Sequence, residues 1–266
     1  MMLMNLISIF ILDHSMKHRL VTLTFLLIAI SLIVLKSDWW LILLTFSIWL
    51  FITFLGVVNM DFHFFLRSSI QPENIQTKKI AITLDDGPTS FTPKFLEMLH
   101  QYDQKATFFC IGKQIEKHPE ILRKIIEDGH EVGNHSYSHS NRIGFYSSKK
   151  MKNEIFECDE MLRNTGNIRT ELYRPPFGIT NPHIAAAIKV SGKKSIGWSI
   201  RTFDTAISDE KKIVRSVLPK IKPGSVILLH DTSTKSLKVL EQILLFLQRE
   251  NYQSVTVSEL FNWKKI

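Results

Sequence analysis

The sequence predicts an α/β protein: a barrel-like parallel sheet of about seven strands, set behind two apolar N-terminal helices. Three observations carry this reading. From Ile80 onward, short apolar runs alternate with stretches of helical period. Two long uncharged blocks precede them. The residues best suited to chemistry, Asp85, Asp86, His135, Arg174 and His230, all fall where an expected strand ends.

The alternation fixes the fold class. Expected strands are Ile80–Leu84, Ala106–Ile111, Glu131–His135, Leu172–Arg174, Ser195–Ser199, Ser225–Leu229 and Gln253–Val257. Between them, helices are expected over Pro93–Tyr102, Pro119–Asp128, Lys149–Asn164, Pro182–Ser191, Asp209–Leu218 and Leu237–Asn251. Ile121, Leu122, Ile125 and Ile126 show the helical spacing most clearly, and Gly129 ends that helix. Repeated strand–helix units form parallel sheets with helices outside, and the active sites of such barrels lie at the strands' C-terminal ends.

The N-terminal blocks are of another kind. Leu20–Leu35 has no charge over 16 residues, and Trp39–Met60 none over 22. Neither has a polar face, and a bilayer core needs about 20 apolar residues. Both are read as membrane segments within a region 1–67, followed by a polar linker 68–78 and a domain 79–266. Lys17, His18 and Arg19 also precede the first block as the n-region of a signal peptide would. No A-x-A-like cleavage site follows, so retention is expected, and Met16 is a natural start for the segment.

Composition narrows the class. The net charge is +8. The lysines are scattered along helices and no arginine–aromatic interleaving marks a nucleic-acid binder; a solvated face beside an anionic membrane is the reading. Two cysteines, Cys110 and Cys158, make no disulfide framework and are expected as free thiols.

In "TLDDGP", Thr83–Pro88, two carboxylates follow a strand that reads as buried. Their repulsion is relieved if Asp86 binds a metal and Asp85 serves as a base. "HSYSH", His135–His139, supplies two imidazoles which, on a helix, project to one side about a turn apart. Two histidines and one aspartate leave positions open for water and substrate, and that set suits zinc, with cobalt or nickel tolerated. Arg174 in "RPPFG" is the counter-charge for Asp85, in a turn stiffened by Pro175 and Pro176. In "LLHD" His230 fills the vacancy of an acid, and Asp231 orients its ring or caps the next loop.

TLDDGP, HSYSH, RPPFG, "WSIRTFDT" (Trp198–Thr205) and LLHD, in this order, resemble the five motifs of the polysaccharide deacetylase (NodB-homology) family, carbohydrate esterase family 4. The resemblance runs from about Lys79 to the C-terminus. It implies a deformed (β/α) barrel and removal of N- or O-acetyl groups from glycans such as chitin or peptidoglycan. It implies Asp85 as base, Asp86, His135 and His139 as metal ligands, Arg174 as the residue positioning Asp85, and His230 as acid. The Phe177 backbone N–H would face the oxyanion, and Trp198 and Leu228 would line the slot for the acetyl methyl. The fourth motif departs from the family: Arg201 stands where an aspartate that tunes the histidine is common, and Asp204 is the sole acidic residue in the stretch.

Three function classes follow: a metal-dependent hydrolase, a membrane-tethered glycan-binding protein without catalysis, and a structural metal site. The last needs four closing ligands and has three. One span with the N-terminus inside puts the domain outside, facing an acetylated wall polymer. Two spans joined by Lys36-Ser37-Asp38 return it to the N-terminal side, where a lipid-linked acetamido sugar is the expected substrate.

Overall fold

The computed structural model describes residues 15–73 and 75–263. Met1, the alternative start residue, lies outside them. Helices α1 (Ser15–Val34) and α2 (Trp39–Val58) form an antiparallel hairpin, both long and apolar enough to cross a bilayer. Phe25 stacks on Trp49 with ring centroids 5.3 Å apart, and Trp49 Nε1 donates to Thr22 Oγ1 at 3.2 Å. The outward side chains are apolar and exposed, among them Leu27, Phe51 and Phe54.

Strands β1 (Ser68–Ser69), β2 (Lys79–Asp85), β3 (Ala106–Cys110), β4 (Glu131–Asn134), β5 (Leu172–Tyr173), β6 (Lys194–Ile196), β7 (Ile200–Arg201), β8 (Val226–His230) and β9 (Gln253–Ser254) form one sheet. Its order is β1-β6-β5-β4-β3-β2-β8-β7, β9 also pairs with β2, and all the pairings are parallel. The sheet curls into a half-barrel. Outside it lie α3 (Thr92–Gln101), α4 (Gly112–Lys117), α5 (Pro119–Glu127), α6 (Ser148–Gly166), α7 (Pro182–Val190), α8 (Glu210–Val217) and α9 (Thr234–Arg249), and α10 (Val257–Leu260) follows β9.

The local sequence explains these elements. In β2 every residue from Ile80 to Asp85 is buried, as in a parallel strand covered on both faces. Asn181, Asp209 and Ser233 cap α7, α8 and α9 by accepting from backbone N–H groups of the first turn. Along α9, Val239, Leu240, Ile243, Leu244 and Leu247 form one buried stripe against β2 and β8 core residues such as Ile82 and Leu229. Cys110 and Cys158 are free and buried, and burial raises both thiols, so neither is a nucleophile.

Four expectations are corrected. The 68–78 linker is not a bare spacer: Ser68 and Ser69 pair with Ser195 and Ile196. The strand expected over Ser195–Ser199 breaks at Gly197, whose N–H goes to Ser69, and resumes as β7 on the other edge. The last strand stops at Ser254, because Thr256 accepts from the Glu259 N–H and starts α10. Helix α4 was not expected, its six residues being too short for periodicity to register.

Ile243 is fully buried. Ile243→Ala is expected to lower stability by about 2–5 kcal/mol, the cost of lost burial plus a cavity, seen as a lower urea midpoint.

Candidate active site

The ends of β2, β4, β5 and β8 and the segment after β7 converge on one cluster. Asp85 closes β2 and Asp86 follows it. Along a strand, neighbouring side chains point to opposite faces. Asp86 escapes that rule because its φ is 74°, in the left-handed region. The turn brings both carboxylates into one site, where they lie 3.8 and 3.5 Å from His135 Nε2.

The two carboxylates then differ in partners. Asp85 Oδ1 accepts from Arg174 Nη1 at 2.8 Å. The Arg174 side chain is fully buried; Nη1 also donates to Thr83 Oγ1, Nε to Ile196 O and Nη2 to Gly197 O. Its guanidinium lies over the Phe109 ring at 4.1 Å. Asp86 Oδ1, by contrast, is buried with no hydrogen-bond partner. It faces His135 Nε2 at 3.5 Å and His139 Nε2 at 3.3 Å. Three ligand atoms of Asp86, His135 and His139 lie within 4.8 Å of one another. An orphaned carboxylate oxygen aimed at two imidazole nitrogens fits a divalent cation, and two nitrogens with one oxygen suit zinc, cobalt or nickel.

HSYSH is not helical, which corrects the expectation for His135 and His139. The segment is a loop in which Ser136 and His139 have φ of 65° and 46°. The imidazoles still meet, with ring centroids 4.9 Å apart. His135 is fixed by the bond of Nδ1 to Arg174 O at 2.8 Å, leaving Nε2 for the site. Burial, with the neighbouring His135, lowers His139 to about 4. Burial alone would raise Asp86, yet His135, His139 and His230 outweigh it and hold the carboxyl at about 2. Both shifts keep the ligand forms that a cation requires.

Across the cluster, His230 Nδ1 and Asp204 Oδ1 lie 2.8 Å apart, and His230 Nε2 stands 4.0 Å from Asp86 Oδ2. Asp204 is fully buried and saturated: it also accepts from His230 N, Ser236 Oγ and Thr202 Oγ1. Burial would lower His230, but the carboxylates, led by the bond to Asp204, raise it to about 9. Asp231 does not orient the ring. It turns away to accept from the Thr92 hydroxyl, and burial raises its carboxyl to about 7. Arg201 is exposed and lies over the rings of Trp198 and Phe203, at 5.4 and 5.0 Å.

Phe177 has φ 60° and Gly178 φ 71°, so RPPFG makes a sharp turn that sets the Phe177 ring 4.6 Å from His139. Trp198 lies between β6 and β7, with Arg174 5.7 Å from its ring. Leu228 is buried in β8 opposite Thr83, two residues from His230 and so on the same face of the sheet. Sequence reasoning missed the supports. Glu154 accepts from Ser138 N and Oγ and braces the histidine loop. Asn134 accepts from Ser136 N, and Ser236 holds Asp204. For Glu154 the signal was a polar residue within an apolar helix stripe, among Met151, Ile155 and Cys158.

Comparison with known proteins decides the family. A family model described as polysaccharide deacetylase matches residues 73–196. A peptidoglycan-N-acetylglucosamine deacetylase of Bacillus cereus is 34% identical over 212 residues, covering 75% of this chain and 99% of that relative. The chain belongs to the polysaccharide deacetylase family. As such it is a hydrolase of amide carbon–nitrogen bonds. PdaC of Bacillus subtilis, a peptidoglycan-N-acetylmuramic acid deacetylase, is 33% identical over 189 residues; the match covers 71% of this chain and 40% of PdaC. The solved structure of peptidoglycan deacetylase PdaC from Bacillus subtilis superposes with a TM-score of 0.66 at 32% identity, covering 70% of this chain and 91% of the solved one.

Two outcomes follow. Arg174→Met leaves the Asp85 carboxylate buried and unpaired and is expected to cost about 3–5 kcal/mol; adding Asp85→Asn should recover part of the loss in urea unfolding. For His230, raised above the ordinary 6.5, the protonated form persists at neutral pH and is lost as pH rises through about 9. Asp204→Asn should move that titration to lower pH in an NMR experiment; an unmoved titration would show that Asp204 does not set it.

Proposed function

We propose that this protein is a metal-dependent deacetylase that removes N-acetyl, or O-acetyl, groups from an amino-sugar glycan such as peptidoglycan or a chitin-like oligosaccharide. The observation that carries the reading is the unequal environment of Asp85 and Asp86: one is tied to Arg174, the other has an unpaired oxygen facing two histidines. A glycan-binding protein has no use for a base and an acid on opposite sides of a cation site.

Asp86, His135 and His139 would hold the cation. When bound it supplies Lewis acidity, lowering the pKa of a water and polarising the carbonyl. Asp85 takes the proton of the attacking water while Arg174 fixes its orientation. As charge grows on the carbonyl oxygen, the Phe177 N–H faces it. His230, held through Nδ1 by Asp204, gives the Nε2 proton to the nitrogen. The carbon–nitrogen bond breaks, releasing acetate and a free amine. Trp198 and Leu228 wall the slot that takes the methyl group. Asp204 supplies the carboxylate that holds the His230 ring, and Arg201, three residues earlier, is exposed and takes no part in that bond.

The test is acetate release from acetylated chito-oligosaccharides and peptidoglycan fragments, with chelator or added zinc. Asp85→Asn is expected to lower the rate by about 10²–10⁴ while keeping stoichiometric zinc. His139→Ala should lose zinc and activity together. An Asp85→Asn protein with wild-type turnover would refute the reading.

A further inference from the structure

The apolar hairpin does not merely precede the catalytic domain; it is bonded to the loop that forms one wall of the site. Thr180 N donates to Val57 O and Thr180 Oγ1 to Gly56 O, both in the last turn of α2. Met60, just past that turn, is buried, and its Sδ lies 3.5 Å from where a Cβ on Gly178 would stand. Phe177, on the same loop, touches His139. The three residues from Phe177 to Thr180 span at most about 10 Å. The headgroup layer on each side of a bilayer is only about 6 Å deep. With α2 in a membrane, the wall of the cation site therefore lies within about 10 Å of the end of the span, at the membrane surface.

The same geometry sets the side. Helix α1 runs back along α2, and His18 packs on the Phe64 and Phe65 rings, with centroids 5.6 and 4.8 Å apart. Lys17 Nζ donates to Phe62 O at 3.1 Å. The start of α1 and the entry to the catalytic domain are one interface. A signal segment that is cut away has no use for these contacts. Lys17, Arg19 and Arg67 lie at this end and Lys36 alone at the other, an asymmetry that keeps the first end in the cytoplasm.

We infer that the site works in the headgroup layer of the cytoplasmic face, on an acetamido sugar carried by a membrane lipid. This rests on the deacetylase reading above and names its substrate class. A polymer strand would have to be drawn into that layer, whereas a sugar on a lipid is presented there.

The test uses the full chain in phospholipid vesicles. N-acetylglucosamine joined to a hexadecyl chain is compared with its methyl glycoside and with a chito-oligosaccharide. Sharing one surface raises effective concentration, so the lipid glycoside should be favoured about 100-fold in kcat/KM. A Cβ on Gly56 would lie 2.2 Å from the Phe64 ring. Gly56→Leu should therefore unseat the hairpin from that loop and bring the ratio of the two kcat/KM values, lipid glycoside over methyl glycoside, toward 1. A fluorescent reporter after Ile266 should be active inside the cell. Equal rates on all three sugars, or a reporter active only outside, would overturn this inference alone. No acetate from any sugar would overturn the deacetylase reading and this one with it.

Discussion

A buried guanidinium organises this protein. Arg174 has no solvent to satisfy it, so its charge must be met by protein acceptors. It takes them from β2 through Thr83 and Asp85, and from the segment closing β6 through Ile196 and Gly197. Its own backbone carbonyl accepts from His135. One residue thus ties together Asp85, His135 and both sides of the curled sheet. An ion pair of this kind adds little net stability against a well-packed apolar core. What it contributes is position, since Asp85 cannot turn toward the cation site without abandoning a buried charge.

The remaining order comes from backbone bends. Asp86, Ser136, His139, Phe177 and Phe203 all have positive φ, each a costly conformation for a residue with a side chain. They fall in four separate loops at the strand ends and turn the chain off the strand direction there. Such strain is tolerable because the loops are braced by Glu154, Asn134 and Ser236.

Much of this was legible in the sequence. β2, β3 and β8 are built on mostly apolar runs, and the alternation with helices left one topology class. That these residues cluster followed from carboxylates, histidines and an arginine at strand ends. The bends themselves were not legible, because nothing in the identity of Asp86 or His139 announces a left-handed φ. That is why the pairing of His135 with His139 was argued only for the case of a helix. Asp204 was ambiguous for a related reason: its reach to His230 depends on the turn after β7, where the strand periodicity that guided the other assignments has ended. The link between Thr180 and α2 was invisible, since a threonine among turn residues carries no pattern.

The division of labour between the two aspartates is the claim on which the account stands. Anomalous diffraction at the zinc edge, on crystals of the zinc-loaded protein, locates the cation directly. The account predicts a single site bonded to Asp86, His135 and His139, with Asp85 still paired to Arg174. A cation bonded to Asp85, with Arg174 turned away, would contradict it.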